Sequence, residues 1–204
     1  MINGKTNVFW QEHAGPGKAR PALEGDQSCD VCIIGGGYTG LSTAIHLKEK
    51  QPSLHVVVLE GETIGFGASG RNGGFNMRLF GINMALTVLR YGKTRTKEAD
   101  EYMVRAVDYL EKMIETYGID CDYVREGMMT VATTGHQLKQ LEKEMRIAEE
   151  IGMKRLRWLD GEAARELVGS PTYLAARFDK HCGLLQPAKL ARGLADAAER
   201  LGAA

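Results

Sequence analysis

The 204-residue sequence is balanced in charge, with 26 Lys and Arg residues against 26 Asp and Glu residues. This balance provides no basic field for nucleic acid and no polybasic run for an anionic membrane surface. Hydrophobic residues make up 44% of the chain, which is enough to bury the core of one or two domains. No stretch approaches the roughly 18 apolar residues of a membrane span. We therefore expect neither a nucleic-acid partner nor a membrane span.

The N-terminal region carries no strong structural pattern. Residues 1–7 lack the apolar core of a signal peptide, so a cytoplasmic protein is expected. Residues 1–28 include Trp10, Pro16 and Pro21 but show no helical or strand periodicity. They predict an extended lead-in.

A glycine-rich turn follows the lead-in. Residues 31–34 are apolar and predict a short buried strand, and residues 39–50 predict a helix. Between them lies the spacing Gly35-x-Gly37-x-x-Gly40, the dinucleotide fingerprint in its required strand-to-helix setting. We expect Gly35 to allow the tight turn and Gly37 to let a pyrophosphate approach the backbone. Gly40 should let the helix pack closely on the strand.

An acidic residue completes this unit. A second predicted strand, residues 54–59, ends at Glu60, which lies 20 residues after Gly40. A carboxylate there can accept hydrogen bonds from ribose hydroxyls and would repel a 2′-phosphate. A glycine turn and an acidic strand end can also be purely structural. The ordered combination of strand, fingerprint, helix, strand and acid favours a bound dinucleotide.

A second glycine-rich loop occupies residues 65–75. It contains one charged residue, Arg71, which could pair with a phosphate or an electron-rich ring. A flexible linker would be richer in Ser and charged residues and would lack the flanking Phe66 and Phe75. The position of the loop directly after Glu60 favours ligand contact.

The four cysteines do not indicate a metal or redox site. Cys29 and Cys32 have the spacing of a redox pair, but they lead into a strand and not into a helix start. Neither Cys121 nor Cys182 supplies a second pair at zinc-ligand spacing. We expect no metal site and expect all four cysteines to be small buried residues.

The rest of the chain predicts more helices and a second sheet. Apolar residues at spacings of three and four predict helices at residues 83–117, with a break near Gly92, and at 136–151, 161–168 and 187–201. Two short runs, residues 123–125 and 128–132, predict a hairpin around Gly127, and residues 173–178 predict another strand. These strands should belong to a different sheet from the parallel one.

The C-terminus follows a predicted helix. In a parallel nucleotide-binding sheet, such a helix leads to another strand. The sequence ends where this strand would begin, so we expect a truncated chain.

Four segments carry a family resemblance: residues 30–47, 56–75, 119–123 and 183–202. Together they resemble the D-amino-acid-oxidase-like FAD-dependent oxidoreductases, over about the first half of a family member. The resemblance implies an α/β fold. It consists of a Rossmann-like FAD-binding parallel sheet with helices, plus part of a second mixed or antiparallel substrate-domain sheet. The implied domains are an extended lead-in (1–28), the first part of the FAD-binding domain (29–118), a substrate-domain portion (119–180) and a return to the FAD-binding domain (181–204).

The resemblance also implies how FAD is held. The predicted cofactor-binding residues are Gly35, Gly37, Tyr38, Thr39, Gly40, Glu60, Gly67, Ala68, Ser69, Arg71, Asn72 and Gly73. Three glycines of the fingerprint would hold the pyrophosphate, and Glu60 the adenosine ribose. Related dehydrogenases attach FAD covalently through a His near the position of Asn72. Because Asn cannot form that bond, non-covalent FAD is expected from this half of the protein.

The implied reaction is oxidation of the C–N bond of a small amine or amino acid. Hydride passes to the flavin, the imine hydrolyses, and oxygen or another acceptor takes the electrons. No residue of this chain is identified as a catalytic base or substrate clamp. Two alternatives stay open: an NAD(P)-type Rossmann enzyme or binding module, and an inactive N-terminal fragment.

Overall fold

The computed structural model describes residues 8–78 and 83–204, which form two compact units. The first unit combines the described residues up to Gly74 with Lys112–Tyr123 and Leu185–Ala204. The second combines the described residues of Phe75–Glu111 with Val124–Leu184. These units differ from the predicted domain ranges chiefly because Phe75–Glu111 groups with the second unit. The assignment of one unit to the cofactor and the other to the substrate stays a prediction.

A parallel strand pair organises the first unit. Strand β1 (Val31–Ile34) pairs with β2 (Val56–Leu59), and helix α2 (Tyr38–Lys50) connects them. The helix buries Leu41, Ala44 and Ile45, as expected for a helix that covers a sheet. These elements confirm the predicted strand-turn-helix-strand order.

The prediction that β1 is a buried strand was wrong. Its residues alternate between half-buried and exposed positions, and Ile34 is 79% exposed. Helix α2 packs on the face that carries Ile33, whereas Cys32 and Ile34 project from the opposite face, which is open to solvent. The alternation follows from the two-residue period of a strand.

The last helix of the first unit, α6 (Pro187–Arg200), packs against α2. Its buried face includes Leu190 and Leu194 and is otherwise rich in alanine, which allows a close approach. After the helix, the Ala204 N–H donates to the Val56 carbonyl at 2.9 Å and the Val58 N–H donates to the Ala204 carbonyl at 2.7 Å. The chain therefore returns to the edge of β2 in the parallel direction.

The lead-in is not wholly extended. Residues Phe9–His13 form a short helix, α1, whereas residues 1–7 lie outside the described part of the chain. The Trp10 carbonyl accepts a 2.6 Å hydrogen bond from the buried Gln186 amide, and Arg192 donates to the Ala14 carbonyl at 3.0 Å. A five-residue helix is unstable alone, so α1 depends on these contacts with the α6 region. Because the contacting residues are distant in sequence, local periodicity did not predict this helix.

The second unit contains an antiparallel sheet of β4 (Met128–Ala132), β5 (Leu156–Asp160) and β6 (Ala175–Asp179), with β6 in the centre. A smaller ladder joins β3 (Phe75–Asn76) to β7 (Gly183–Leu184). The sheets confirm the predicted α/β class with a second antiparallel sheet.

The predicted hairpin around Gly127 was wrong. Val124 forms a bridge with Leu184, whereas β4 pairs with β6. Gly127 has a φ of +85° and donates to the Cys182 carbonyl at 3.0 Å, so the chain crosses from one ladder to the other at this residue. Strand β5 was not predicted.

The helices of the second unit match their predicted positions within a few residues. They are α3 (Met84–Tyr117, of which Lys112–Tyr117 belongs to the first unit), α4 (Gly135–Glu150) and α5 (Gly161–Val168). The break in α3 is at Gly92, with φ +80° and ψ 166°. Helix α4 begins with a capping box between Thr134 and Gln137, and the Asp160 carboxylate caps α5 by accepting from the Ala163 N–H.

No helix in the described ranges has the length and apolar character needed to cross a bilayer. Within residues 8–78 and 83–204, no group of three or more His, Cys, Asp or Glu side chains is arranged to hold a metal ion.

The cysteines fall into two classes. Cys121 and Cys182 are buried as expected, but Cys29 and Cys32 are exposed, so their predicted burial was wrong. Cys32 lies on the open face of β1, and this position accounts for its exposure. Burial raises the pKa of Cys121 to about 11 and also raises the pKa of Cys182.

We expect a thiol reagent such as DTNB to label the folded chain in two phases at pH 8. Cys29 and Cys32 are exposed and should react within minutes, whereas Cys121 and Cys182 should react only after denaturation, because burial shields their sulfur atoms from the reagent and raises the pKa of both thiols. Partial desolvation raises the pKa of Cys29 as well, so access to the reagent, and not thiol pKa, separates the two phases. Absorbance at 412 nm measures both phases. Replacing Cys29 and Cys32 together by Ser should remove the fast phase. A fast phase that persists in this double variant would contradict the assignment.

Candidate cofactor-binding site

The turn after β1 is tight because Gly35 adopts a left-handed backbone conformation. Its φ is +106°, a value that side-chain-bearing residues rarely adopt. The Gly35 N–H donates to the Leu59 carbonyl at 2.7 Å, which joins the carboxyl ends of β1 and β2. The turn therefore lies at the sheet edge where open α/β folds bind ligands.

Gly40 brings α2 against this turn. A Cβ atom at Gly40 would lie 2.1 Å from the Gly35 carbonyl oxygen and 3.1 Å from Cγ2 of Ile33. The Ile33 methyl group could shift slightly, but the Gly35 carbonyl oxygen is backbone and far too close, so only glycine permits this helix-to-strand distance.

The N-cap residue of α2 has no side chain to cap the backbone donors of the first turn. Gly37 is the N-cap residue, and Leu41 makes the first helical hydrogen bond, to the Gly37 carbonyl at 3.0 Å. Tyr38 N–H donates to the Ser69 hydroxyl at 3.0 Å. Among the described residues, no acceptor reaches the N–H groups of Thr39 and Gly40. An uncapped helix start carries a partial positive charge and is suited to phosphate.

Glu60 supports the glycine turn directly. Its carboxylate accepts from the Gly36 N–H at 2.7 Å and from the Glu62 N–H at 3.0 Å. Sequence reasoning placed Glu60 at this edge but did not anticipate its bond to Gly36. A carboxylate has about four acceptor positions, so both bonds leave capacity for ribose hydroxyls.

The second glycine loop folds onto the first turn. The Gly65 N–H donates to the Gly36 carbonyl at 3.0 Å, and Ser69 lies beside Gly37. A Cβ atom at Gly37 would lie 2.9 Å from the Ser69 hydroxyl oxygen. The structure thus brings together the two segments that the sequence singled out.

Asn72 and Arg71 organise the loop from within. The Asn72 amide donates to the Ser69 carbonyl at 3.0 Å and to the Ala68 carbonyl at 3.2 Å, and its oxygen accepts from the Gly74 N–H at 2.8 Å. Arg71 donates to the Phe66 carbonyl at 2.5 Å and lies 4.6 Å from the Phe66 ring centroid. The predicted contact of Arg71 with a cofactor stays a prediction.

Tyr38 has an anchoring role that sequence reasoning missed. Its hydroxyl donates to the Pro187 carbonyl at 3.0 Å, which joins the start of α2 to the start of α6. Burial raises the pKa of Tyr38 to about 12, so the phenol is neutral and can donate this bond. Gln11 of α1 is a second missed contact, because its amide donates to the Gly65 carbonyl at 3.2 Å.

Several predicted cofactor residues border open solvent. Exposed members of the set are Thr39, Gly67, Ala68, Asn72 and Gly73. Together with the uncapped helix start and the close approach at Gly37, this open border fits a pyrophosphate that lies along the backbone. The donor set therefore fits the phosphate and ribose portions of a dinucleotide.

Comparisons with known proteins agree with this geometry. A family model described as FAD dependent oxidoreductase (DAO) matches residues 30–204. The chain is 42% identical over 170 residues to gamma-glutamylputrescine oxidoreductase of Escherichia coli (strain K12), covering 83% of this chain and 39% of that protein. It is 33% identical over 183 residues to the probable oxidoreductase OrdL of Haemophilus influenzae, covering 89% and 42%. The chain thus spans about two-fifths of the length of these relatives.

Solved structures show the same fold. Glycine oxidase from Geobacillus kaustophilus has a TM-score of 0.67 and 25% identity, with 86% of this chain and 45% of that chain covered. L-amino acid deaminase from Proteus myxofaciens has a TM-score of 0.66 and 24% identity over 92% and 40% of the two chains, and supports the fold alone. The predicted family resemblance and its FAD cofactor are therefore confirmed, and the chain belongs to the DAO family of FAD-dependent oxidoreductases.

Proposed function

We propose that this chain binds FAD between the glycine turn and the Gly65–Gly74 loop and serves the oxidation of a C–N bond in a small amine or amino acid. The observation that carries the proposal is the uncapped start of α2 beside Glu60, in a chain of this family. The names of two relatives refer to a substituted putrescine and to glycine, which supports the substrate class. Bound FAD would supply the acceptor for hydride from the carbon beside the nitrogen.

The chain's own residues bind and orient the dinucleotide. Thr39 and Gly40 offer backbone donors to the pyrophosphate, and Gly37 lets it approach because no side chain intervenes. Glu60 accepts from the ribose hydroxyls while it holds Gly36. Its negative charge disfavours a 2′-phosphate and hence NADP.

The loop supplies order. Ser69 and Asn72 fix its backbone by hydrogen bonds, so less conformational entropy is lost when a ligand binds. Asn72 has no ring nitrogen to alkylate, so the cofactor is held non-covalently at this position. Oxygen or another acceptor would take the electrons, and a cytoplasmic location remains part of the proposal.

Titration of the purified 204-residue chain with FAD and NAD, side by side, tests the cofactor. FAD should bind at least about tenfold more tightly, as measured by quenching of flavin fluorescence and by calorimetry for both ligands. Tighter binding of NAD would instead support a pyridine-nucleotide module. A chain that folds but binds no FAD would overturn the proposal.

Gly37→Ala is expected to weaken FAD binding at least about tenfold, because a methyl group would occupy the path of the pyrophosphate. The added Cβ would also lie 2.9 Å from the Ser69 hydroxyl oxygen, so a second variant must separate the two effects. In Gly37→Ala/Ser69→Ala this contact is relieved, since the Ser69 Cβ is 3.8 Å away. The double variant should still bind FAD weakly.

The control is Ser69→Ala alone. It removes one neutral hydrogen bond of about 1 kcal/mol, so its FAD affinity should fall less than about fivefold. If the double variant binds no worse than Ser69→Ala, then Gly37 serves loop packing only and the pyrophosphate assignment is wrong. Fluorescence titration of the three variants decides between these outcomes.

A further inference from the structure

The second unit contains a cavity of about 700 Å³ in which apolar and charged side chains converge. This volume lies within the range of small-molecule sites. The apolar wall is rich in methionine, a residue that adapts its shape to different ligands. Six methionines line it: Met77, Met84, Met103, Met128, Met129 and Met153.

One side of the cavity carries a buried ion cluster. The Arg78 side chain is 3% exposed and lies between two carboxylates. It donates to Asp100 Oδ1 at 2.6 Å and to Asp179 Oδ2 at 2.7 Å. One guanidinium therefore balances two acids.

The other charged pair in the lining is matched. Arg177 donates to Glu144 at 2.8 Å and to the Thr130 hydroxyl at 3.3 Å, and the Asn83 amide donates to the other oxygen of Glu144 at 3.0 Å. The charged lining residues thus comprise three carboxylates and two guanidiniums, an excess of one negative charge. Near Asp100, Arg155 and Glu101 carry opposite charges and leave this balance unchanged. His181 Nδ1 lies 3.7 Å from Asp179, but burial lowers the pKa of His181, so at neutral pH it is mainly neutral and does not cancel the excess charge.

The unbalanced carboxylate is Asp100. Arg78 is its sole hydrogen-bond donor within the described ranges, and the bond goes to Oδ1. Oδ2 thus retains its acceptor capacity at the wall of a largely apolar cavity. Burial raises the pKa of Asp100, although Arg78 opposes the shift. A cationic donor at Oδ2 would stabilise the ionised carboxylate.

We propose that this cavity binds an alkylammonium ion, with its nitrogen at Asp100 and its carbon chain along the methionines. This proposal specifies the class of amine in the proposed function. That the cavity serves the substrate rests on the proposed function. The excess negative charge selects cations over carboxylates, and the apolar wall favours a chain of several methylenes over ammonium itself.

The test uses three probes of similar length with the complete chain at neutral pH: hexylammonium, hexanol and hexanoate. Calorimetry should show saturable binding of hexylammonium, at least about tenfold tighter than hexanoate, with hexanol between them. Equal binding of hexylammonium and hexanoate, or no saturable binding of hexylammonium, would refute the proposal.

Two substitutions on α3 make a matched pair. Asp100→Asn keeps the side-chain shape and should weaken hexylammonium at least about tenfold while leaving hexanol within about twofold. Asp108→Asn is the control, because Asp108 is 54% exposed and lies outside the cavity lining. It should leave all three affinities unchanged. Equal losses in both variants would argue for general surface attraction and against the site.

FAD titration of the same samples separates this inference from the proposed function. If the chain binds FAD but not hexylammonium, the cofactor assignment stands and the cavity proposal is refuted. If the chain binds hexylammonium with the expected dependence on Asp100 but does not bind FAD, the cavity proposal stands and the proposed function is refuted.

Discussion

Gly40→Ala is expected to destabilise the first unit by about 3 kcal/mol and to reduce FAD binding below detection. The added methyl group would lie 2.1 Å from the Gly35 carbonyl oxygen. The obstacle is backbone, so no side-chain rotation can relieve it. Helix α2 must move away from β1, and this movement displaces the N–H groups that would face the phosphates.

Tryptophan fluorescence can report on each unit separately. The sequence has two tryptophans, Trp10 in the first unit and Trp158 in the second. In a Trp158→Phe background, urea unfolding followed at Trp10 gives the stability of the first unit. Gly61→Ala is the control, because its Cβ would enter open space. A Gly40→Ala variant as stable as this control would contradict the packing argument.

Arg78→Met should destabilise the second unit by about 3–5 kcal/mol. The substitution leaves Asp179 buried and Asp100 half-buried without the cation that pairs with both. Urea unfolding followed at Trp158 in a Trp10→Phe background measures the loss. Arg95→Met is the matched control, because Arg95 is exposed on the same helix α3 and should cost less than about 0.5 kcal/mol.

The loss in free energy of unfolding caused by Arg78→Met should depend on pH, and this loss is called the deficit below. Burial already raises the pKa of Asp100, and Arg78 lowers it, so removing Arg78 raises this pKa further. A group whose pKa is higher in the folded state favours folding at low pH and loses that contribution as pH rises. The deficit should therefore be largest at pH 8 and shrink as pH falls through the raised Asp100 pKa. A deficit independent of pH would assign the effect to lost packing of the arginine side chain.

Local features of the fold were predictable from sequence because neighbouring residues determine them. The turn at Gly35, the break at Gly92 and the cap at Asp160 each depend on residues within a few positions. These features require a positive φ or a side-chain acceptor, and the residue type reveals both.

Strand pairing in the second unit was less predictable. Strand β4 pairs with β6, more than 40 residues away in sequence, and not with the run before Gly127. Strand β5 was missed because it combines Arg157 and Trp158 with only two aliphatic residues. Pairing with β6 stabilises it as a strand, and no local pattern encodes that partner.

The candidate site shows the same division. The spacing of Gly35, Gly37 and Gly40 and the position of Glu60 were visible in the sequence. Their support was not, because the bonds from Gly36 to Glu60 and from Tyr38 to Ser69 connect residues 24 and 31 positions apart. Residue types that can donate or accept occur throughout the chain, so type alone does not identify partners.

The hydrogen bond between the Ser69 hydroxyl and the Tyr38 N–H couples the order of the Gly65–Gly74 loop to ligand binding at the glycine turn. A ligand that binds more tightly when the loop is ordered must, by linkage, shift the loop toward its ordered state when it binds. Amide exchange across the 3₁₀ turn Ala68–Gly70 should therefore slow when FAD occupies the turn. Substitutions that change the order of the loop can then alter FAD affinity even where the substituted side chain does not contact FAD.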